Sequence, residues 1–168
     1  MTTSDRPSET ERLKDMLADA KLGVLATLKR DGRPQLSDVS PQFDADPDRI
    51  RVSITEGRAK TANLRRDPRA SLHVRPSSGA GYAVAEGVAQ LSQTAADLND
   101  VTVEELVDLY RAINGEHPDW DEYREAMVSD RRIVLTILVD NIYGWAPKEP
   151  HTPGGVPRRQ LAARRWRR

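Results

Sequence analysis

Residues 23–43 read GVLATLKRDGRPQLSDVSPQF, and this stretch decides the fold. Val24 to Leu28 is a short β-prone run, and Asp31-Gly32 supplies the positive φ that a tight hairpin turn needs. Gln35 to Phe43 then continues in extended style. Working outward, Asp44 to Asp48 with Pro47 is a second turn, and Ile50 to Thr55 is a third strand. Arg69 to Val74 alternates apolar and polar side chains as a half-buried strand does. Tyr82 to Leu91 is a long strand of small residues, in which Gly87 marks a bulge or a close neighbour. Arg132 to Val139 is a β-rich run that Ile142 to Trp145 extends.

Helical patterns sit between and before these runs. Ser8 and Glu11 have the spacing of a capping box, with Leu13, Met16, Leu17 and Ala20 following on one helical face. Arg58 to Arg66 is helix-forming until Asp67-Pro68 stops it. Thr102 and Glu105 suggest another capping box ahead of Leu106, Leu109, Tyr110 and Ile113, and Trp120 to Val128 completes a helical pair. Most strand connections are too short for crossover helices, so the expected fold is mainly β with helices (α+β): a split β-barrel of about six antiparallel strands.

The chain of 168 residues suits one domain, and its 26 basic and 26 acidic side chains cancel to a formal charge of zero. That zero hides a split. From Lys148 onward there are seven basic side chains against Glu149 alone, so the first 147 residues hold 19 basic and 25 acidic groups. The expected organisation is a flexible 1–7, a barrel over 8–147, and a disordered Pro/Gly/Arg-rich tail over 148–168. The chain has no Cys, which excludes disulfides, thiolate metal sites and Cys nucleophiles. It shows no apolar run of membrane-spanning length and no signal-peptide pattern, which points to a cytoplasmic protein without membrane partners.

Chemistry narrows by elimination. His73, His117 and His151 lie far apart and none has a second ligand at metal-site spacing, so no metal is expected. There is no nucleophile elbow, and Gly79-Ala80-Gly81 lacks the context of a dinucleotide fingerprint. What remains is Gly57 to Arg66, GRAKTANLRR, where a strand passes through glycine into a helix. Arg58 and Lys60 would oppose the helix dipole there, while backbone N–H groups converge. Two readings fit these residues equally: a phosphate site, or a solvated basic helix paired with nearby acids.

The series Leu22 to Leu28, Asp31 to Gln35, Arg58 to Thr61, Asn63 to Ser71 and Ala85 to Gly87 resembles the pyridoxamine 5′-phosphate oxidase-like split-barrel superfamily, whose barrel binds FMN in many members. Gly115 to His117, Trp120-Asp121 and Asp130 to Arg132 are similar to its F420-dependent class, the flavin/deazaflavin oxidoreductases of the B group. The likeness covers about residues 10–146. It implies a homodimer with cofactor clefts at the interface. Arg58 and Lys60, with the Ala59 backbone, would hold the cofactor phosphate. Ser53, Ile54 and Thr55 would follow the ring and ribityl chain, and Gln35, Ser37 and Asp38 would edge the ring. Close members carry a neutral amide where this chain has Asp38, which makes Asp38 the candidate for proton transfer; capping the hairpin or pairing with Arg33 is its alternative role. Tyr82, beside the Gly79–Gly81 loop, would stand at the cleft mouth, while Tyr110, Trp120 and Tyr143 would serve packing or dimer contacts.

The resemblance thus implies hydride transfer from reduced coenzyme F420, a deazaflavin, to a small-molecule acceptor such as a tetrapyrrole or a quinone-like compound. An FMN-dependent enzyme on the same fold is one alternative. A non-catalytic carrier of flavin, deazaflavin or haem is another. Nucleic acid would be bound only through the tail, where Trp166 stands among Arg164, Arg165, Arg167 and Arg168.

Overall fold

A computed structural model describes residues 7–77 and 79–148. The expected flexible N-terminus, apart from Pro7, and the expected tail, apart from Lys148, lie outside the described residues. The elements in chain order are α1 (Glu9–Asp19), β1 (Gly23–Leu28), β2 (Pro34–Val39), β3 (Pro41–Ala45), β4 (Asp48–Thr55), α2 (Ala59–Arg66), β5 (Arg69–Val74), β6 (Tyr82–Leu91), α3 (Val101–Asn114), α4 (Trp120–Ser129) and β7 (Arg132–Trp145). The strands form one sheet in the order β2-β1-β5-β6-β7-β4-β3, with antiparallel pairs throughout. This is the split β-barrel of the α+β class.

The strand count is seven rather than six. Gln35 to Phe43 is not one strand, because the chain turns a corner at Ser40. Its first half pairs with β1 at one edge of the sheet, and its second half pairs with β4 at the other. No single straight strand can serve two opposite edges, so the bend closes the curled sheet on itself. The preceding hairpin forms as its sequence dictates: Gly32 takes φ 80°, and its N–H donates to the Lys29 carbonyl at 3.0 Å.

Helix α1 opens with the Ser8/Glu11 capping box, each side chain accepting the other's backbone N–H. Leu13 and Leu17 lie on its buried face and pack into the main core with Leu25, Ile50, Leu72, Leu135 and Ile137. At the other layer α3 and α4 pack on the sheet through Val103, Leu106, Met127 and Val134. Gly87 is both a bulge and a close neighbour: the β6–β7 register slips there, and a Cβ at this position would stand 2.0 Å from the Leu138 carbonyl oxygen.

The cap of α3 differs from expectation. Asp100, not Thr102, is the N-cap, its carboxylate accepting from Val103 N at 2.8 Å. The same carboxylate accepts from Ala96 N and Asp97 N, so it organises the incoming strap as well as the helix end. Thr102 falls inside the first turn on the buried face, where its hydroxyl donates to the Gln93 carbonyl at 3.0 Å. Among the described residues no helix is long and apolar enough to cross a membrane.

Candidate functional site

Strand β4 alternates Ile50, Val52 and Ile54 toward the core with Arg51, Ser53 and Thr55 on the opposite face. At its end Glu56 and Gly57, the latter at φ 78°, turn the chain into α2. The turn is clamped from several sides. Glu56 N donates to the Arg131 carbonyl at 3.0 Å, and the Thr61 hydroxyl donates to the Thr55 carbonyl at 3.0 Å. The Glu56 carboxylate accepts both guanidinium arms of Arg65 and the Thr94 hydroxyl. Those Arg65 hydrogen bonds hold the Glu56 carboxyl down at about 2.

The result is a helix start with an unusual electrostatic balance. Arg58 is the N-cap in extended conformation, its side chain makes no cap bond, and the first turn contains no acid. Among the described residues neither Arg58 nor Lys60 forms an ion pair. The neighbouring carboxylate is already engaged by Arg65. The first turn of α2 therefore presents two cations and its own unpaired N–H dipoles to one place.

That place is the wall of a cavity of about 430 Å³. One side is the end of β2 and the Ser40 corner, with Asp38, Val39 and Ser40. The floor is Ser53, Ile54 and Thr55 of β4, and Arg58 and Lys60 close one end. The opposite wall is helical: Leu109, Tyr110, Ile113 and Asn114 of α3 face Tyr123 and Met127 of α4. Arg132 of β7 lies across from Thr55 in the ladder and also lines the space. Its Nε is buried without a hydrogen-bond partner among the described residues, although Nη2 stands 3.5 Å from Asp130.

The structure thus brings together Asp38, Ser53, Ile54, Thr55, Arg58 and Lys60 from the expected set. Ile54 contributes its backbone, since its side chain belongs to the main core. Ala59 is not on the wall. Gln35 and Ser37 are not brought there either: they share the inner face of β2 with Val39, opposite Asp38. Gln35 instead accepts from the Thr27 hydroxyl at 3.2 Å, and Thr27 accepts from the buried Asn63 amide at 3.1 Å, a polar chain beneath α2. Tyr82 stacks on His73 outside this cavity, with ring centroids 5.8 Å apart.

The helical wall is what sequence reasoning missed. Tyr110 belongs to an aromatic cluster with His117, Trp120 and Tyr123, as expected of a packing residue, yet it also faces the cavity. The Tyr123 hydroxyl donates to the Leu106 carbonyl at 3.1 Å, and burial pushes it up to about 12, so it is a fixed dipole rather than an acid. Asp130 to Arg132 carried the signal for Arg132, but not its position.

A polar, cation-ended cavity floored by hydroxyls and walled by tyrosines suits a planar ring bearing a phosphate. The protein-family model for pyridoxamine 5′-phosphate oxidase matches residues 9–146. The chain belongs to that family. Solved structures share the fold at lower identity. A conserved hypothetical protein of Mycobacterium tuberculosis aligns at 22% identity and a TM-score of 0.66, over 94% of this chain and 98% of that one. An F420 reductase aligns at 19% and 0.59, over 77% and 94%. A haem-binding protein of Mycobacterium smegmatis aligns at 19% and 0.58, covering 84% of this chain and 55% of that one. The family includes oxidoreductases that use flavin-type cofactors. The described residues offer no group of three His, Asp or Glu side chains suited to a metal ion.

Proposed function

We propose that the chain is an F420-dependent oxidoreductase that passes a hydride to a conjugated organic acceptor such as a tetrapyrrole or a quinone-like compound. The observation that carries this reading is the pair of cations Arg58 and Lys60, without ion pairs among the described residues, at an uncapped helix start opening on the cavity. A phosphate there receives charge-assisted hydrogen bonds from both side chains and from the first-turn N–H groups. Ser53 and Thr55 offer hydroxyls to the ribityl chain, and the orphaned Nε of Arg132 offers a donor to a ring oxygen or the chain. Tyr110 and Met127 exclude water from one side. A bound reduced deazaflavin would supply the hydride, and Asp38 would relay the acceptor's balancing proton from solvent. The deazaflavin-class motifs of the sequence favour F420 over FMN, and one structural neighbour is an F420 reductase.

The active unit in this reading is a homodimer. Val24, Ala26, Leu36, Val84 and Tyr143 line an apolar groove on the outer sheet face, and Leu36 and Tyr143 are 61% and 45% exposed. A second copy covering this groove removes that apolar surface from water. Leu36→Glu with Tyr143→Glu is expected to give monomers in analytical ultracentrifugation.

The deciding experiment is a fluorescence titration of F420 and FMN into the purified full chain. Quenching of F420 with an affinity about tenfold or more above that for FMN supports the assignment. Co-purification with FMN, or no quenching of F420 at micromolar protein, overturns it.

A further inference from the structure

The cavity is electrically lopsided along its length. Pro41 pairs with Val52, so the side formed by Asp38, Val39 and Ser40 borders Ser53, while Thr55 leads through Gly57 into Arg58 and Lys60. Arg132, opposite Thr55 in the ladder, stands at that same end. Three cations and the positive end of the α2 dipole therefore meet there. The other end has the reverse sign. Asp38 is exposed on the cavity wall and forms no ion pair among the described residues, with Arg33 or with any other cation.

The helices add to that sign. Helix α4 ends at Ser129, just before Arg132. Helix α3 runs antiparallel to it, with Glu104 on Arg124 and Tyr110 on Trp120, so α3 ends at the far, Asp38 end, where Ile113 and Asn114 line the cavity. A helix C-terminus carries the negative end of its dipole. Arg111, the cation of that last turn, is engaged elsewhere: Glu116 accepts from its Nε at 3.0 Å, and its guanidinium lies 4.6 Å over the Trp120 ring. The titratable groups lining the cavity are thus Asp38 of β2, Tyr110 of α3 and Tyr123 of α4, with Arg58, Lys60 and Arg132 at the opposite end. His73 and Arg75 border Asp38 from outside the cavity, and neither comes within 4.0 Å of its carboxylate.

A ligand that fills this space with its anionic arm on the cations brings its ring beside Asp38. A carboxylate there raises the energy of any negative charge on the ring. The deazaflavin ring can carry one, because its hydroxyl ionises near neutral pH and the charge then spreads over the conjugated rings. The sign of the effect therefore does not depend on which ring edge faces Asp38. We propose that Asp38 selects the cofactor with its ring uncharged, keeping the ring hydroxyl protonated to a higher pH than a neutral residue at this position would. The inference rests on the deazaflavin reading of the cavity and concerns the protonation state, which that reading leaves open. The exposure of Asp38 sets the size: water and salt screen its charge, so the shift is about half a pH unit rather than several.

The test follows the absorbance of oxidised F420, which reports the ionisation of its ring hydroxyl, in the presence of excess full chain across the neutral pH range. Asp38→Asn keeps the shape and removes the charge, and should lower the pH midpoint of the bound ring by about half a unit relative to wild type. Asp38→Glu keeps the charge and should hold most of the wild-type midpoint. Calorimetry must agree: F420 affinity below the midpoint, divided by affinity above it, should be about threefold larger for wild type than for Asp38→Asn. Equal midpoints in wild type and Asp38→Asn, or a lower one in wild type, overturn the proposal and leave the cofactor reading standing. A wild type that binds F420 beside an Asp38→Asn chain that does not also overturns it, since removing an anion should not cost binding. Absence of F420 binding in all three chains removes the cofactor reading and this inference with it.

Discussion

The two ends of α2 carry the same charge and put it to different use. At its C-terminal end Arg65 grips Glu56, and Arg66 donates to the Leu28 carbonyl and to Asn63 Oδ1. Those cations sit where the helix dipole favours them, and each is spent on holding the helix to the barrel. At the other end Arg58 and Lys60 sit where the dipole disfavours them, without carboxylate partners among the described residues, and face a cavity. Of the two readings that fit the sequence equally well, the paired basic helix describes the C-terminal end of α2, and the proposed phosphate site rests on the N-terminal end. Basic composition alone does not separate the two ends; the partners each cation finds, and the cavity beside it, do.

The largest expected effect breaks the comparison at its open end. Arg58→Ala with Lys60→Ala should weaken F420 binding by about a hundredfold or more, the loss of two charge-assisted contacts. Its thermal midpoint should stay within about 2 °C of wild type, since neither side chain makes a hydrogen bond or ion pair among the described residues. Equal losses of affinity and stability would erase the distinction between the two ends.

Asn63 sharpens it from beneath. Its buried amide links Thr27 to Arg66, so Asn63→Ala leaves polar partners orphaned and should cost about 2 kcal/mol in denaturant unfolding. Glu56→Gln should cost about 1 kcal/mol, because the Arg65 pair is partly exposed and screened. In both variants cofactor affinity per folded molecule should change less than about twofold, which fluorescence titration checks.

The smallest effect is in pH. The Glu56 carboxyl is lowered from 4.5 to about 2 in the folded chain, so its stabilising contribution is full above about pH 4.5 and disappears as the pH falls toward 2. Between those values the thermal midpoint of wild type should fall more steeply than that of Glu56→Gln.

How much of this was legible varies with how local its cause is. The Asp31-Gly32 hairpin, the Ser8/Glu11 box and the Gly87 irregularity follow from neighbouring residues, and the structure shows all three. The corner at Ser40 does not, because both halves of 35–43 have the same extended character, and only the sheet as a whole assigns them to different edges. Thr102 mimicked a cap because Asp100, two residues earlier, makes a better one. In the site, parity does not decide which β2 residues reach the cavity, because Val39 shares a face with Gln35 and Ser37 and lines it together with Asp38; only the end of the strand lies there. The wall of Tyr110, Tyr123 and Arg132 is different: three elements far apart in sequence meet there, and no local pattern announces it.

The Ser40 corner has a further consequence. The two edges of the sheet are joined by one residue, and the lining of the cavity crosses from one to the other there, with Asp38, Val39 and Ser40 on its wall. Ladders hold the chain on both sides of that residue, β2 on β1 and β3 on β4, so neither edge can turn against the other without breaking strand pairs. The cavity wall at Asp38 to Ser40 is therefore as fixed as the sheet that frames it.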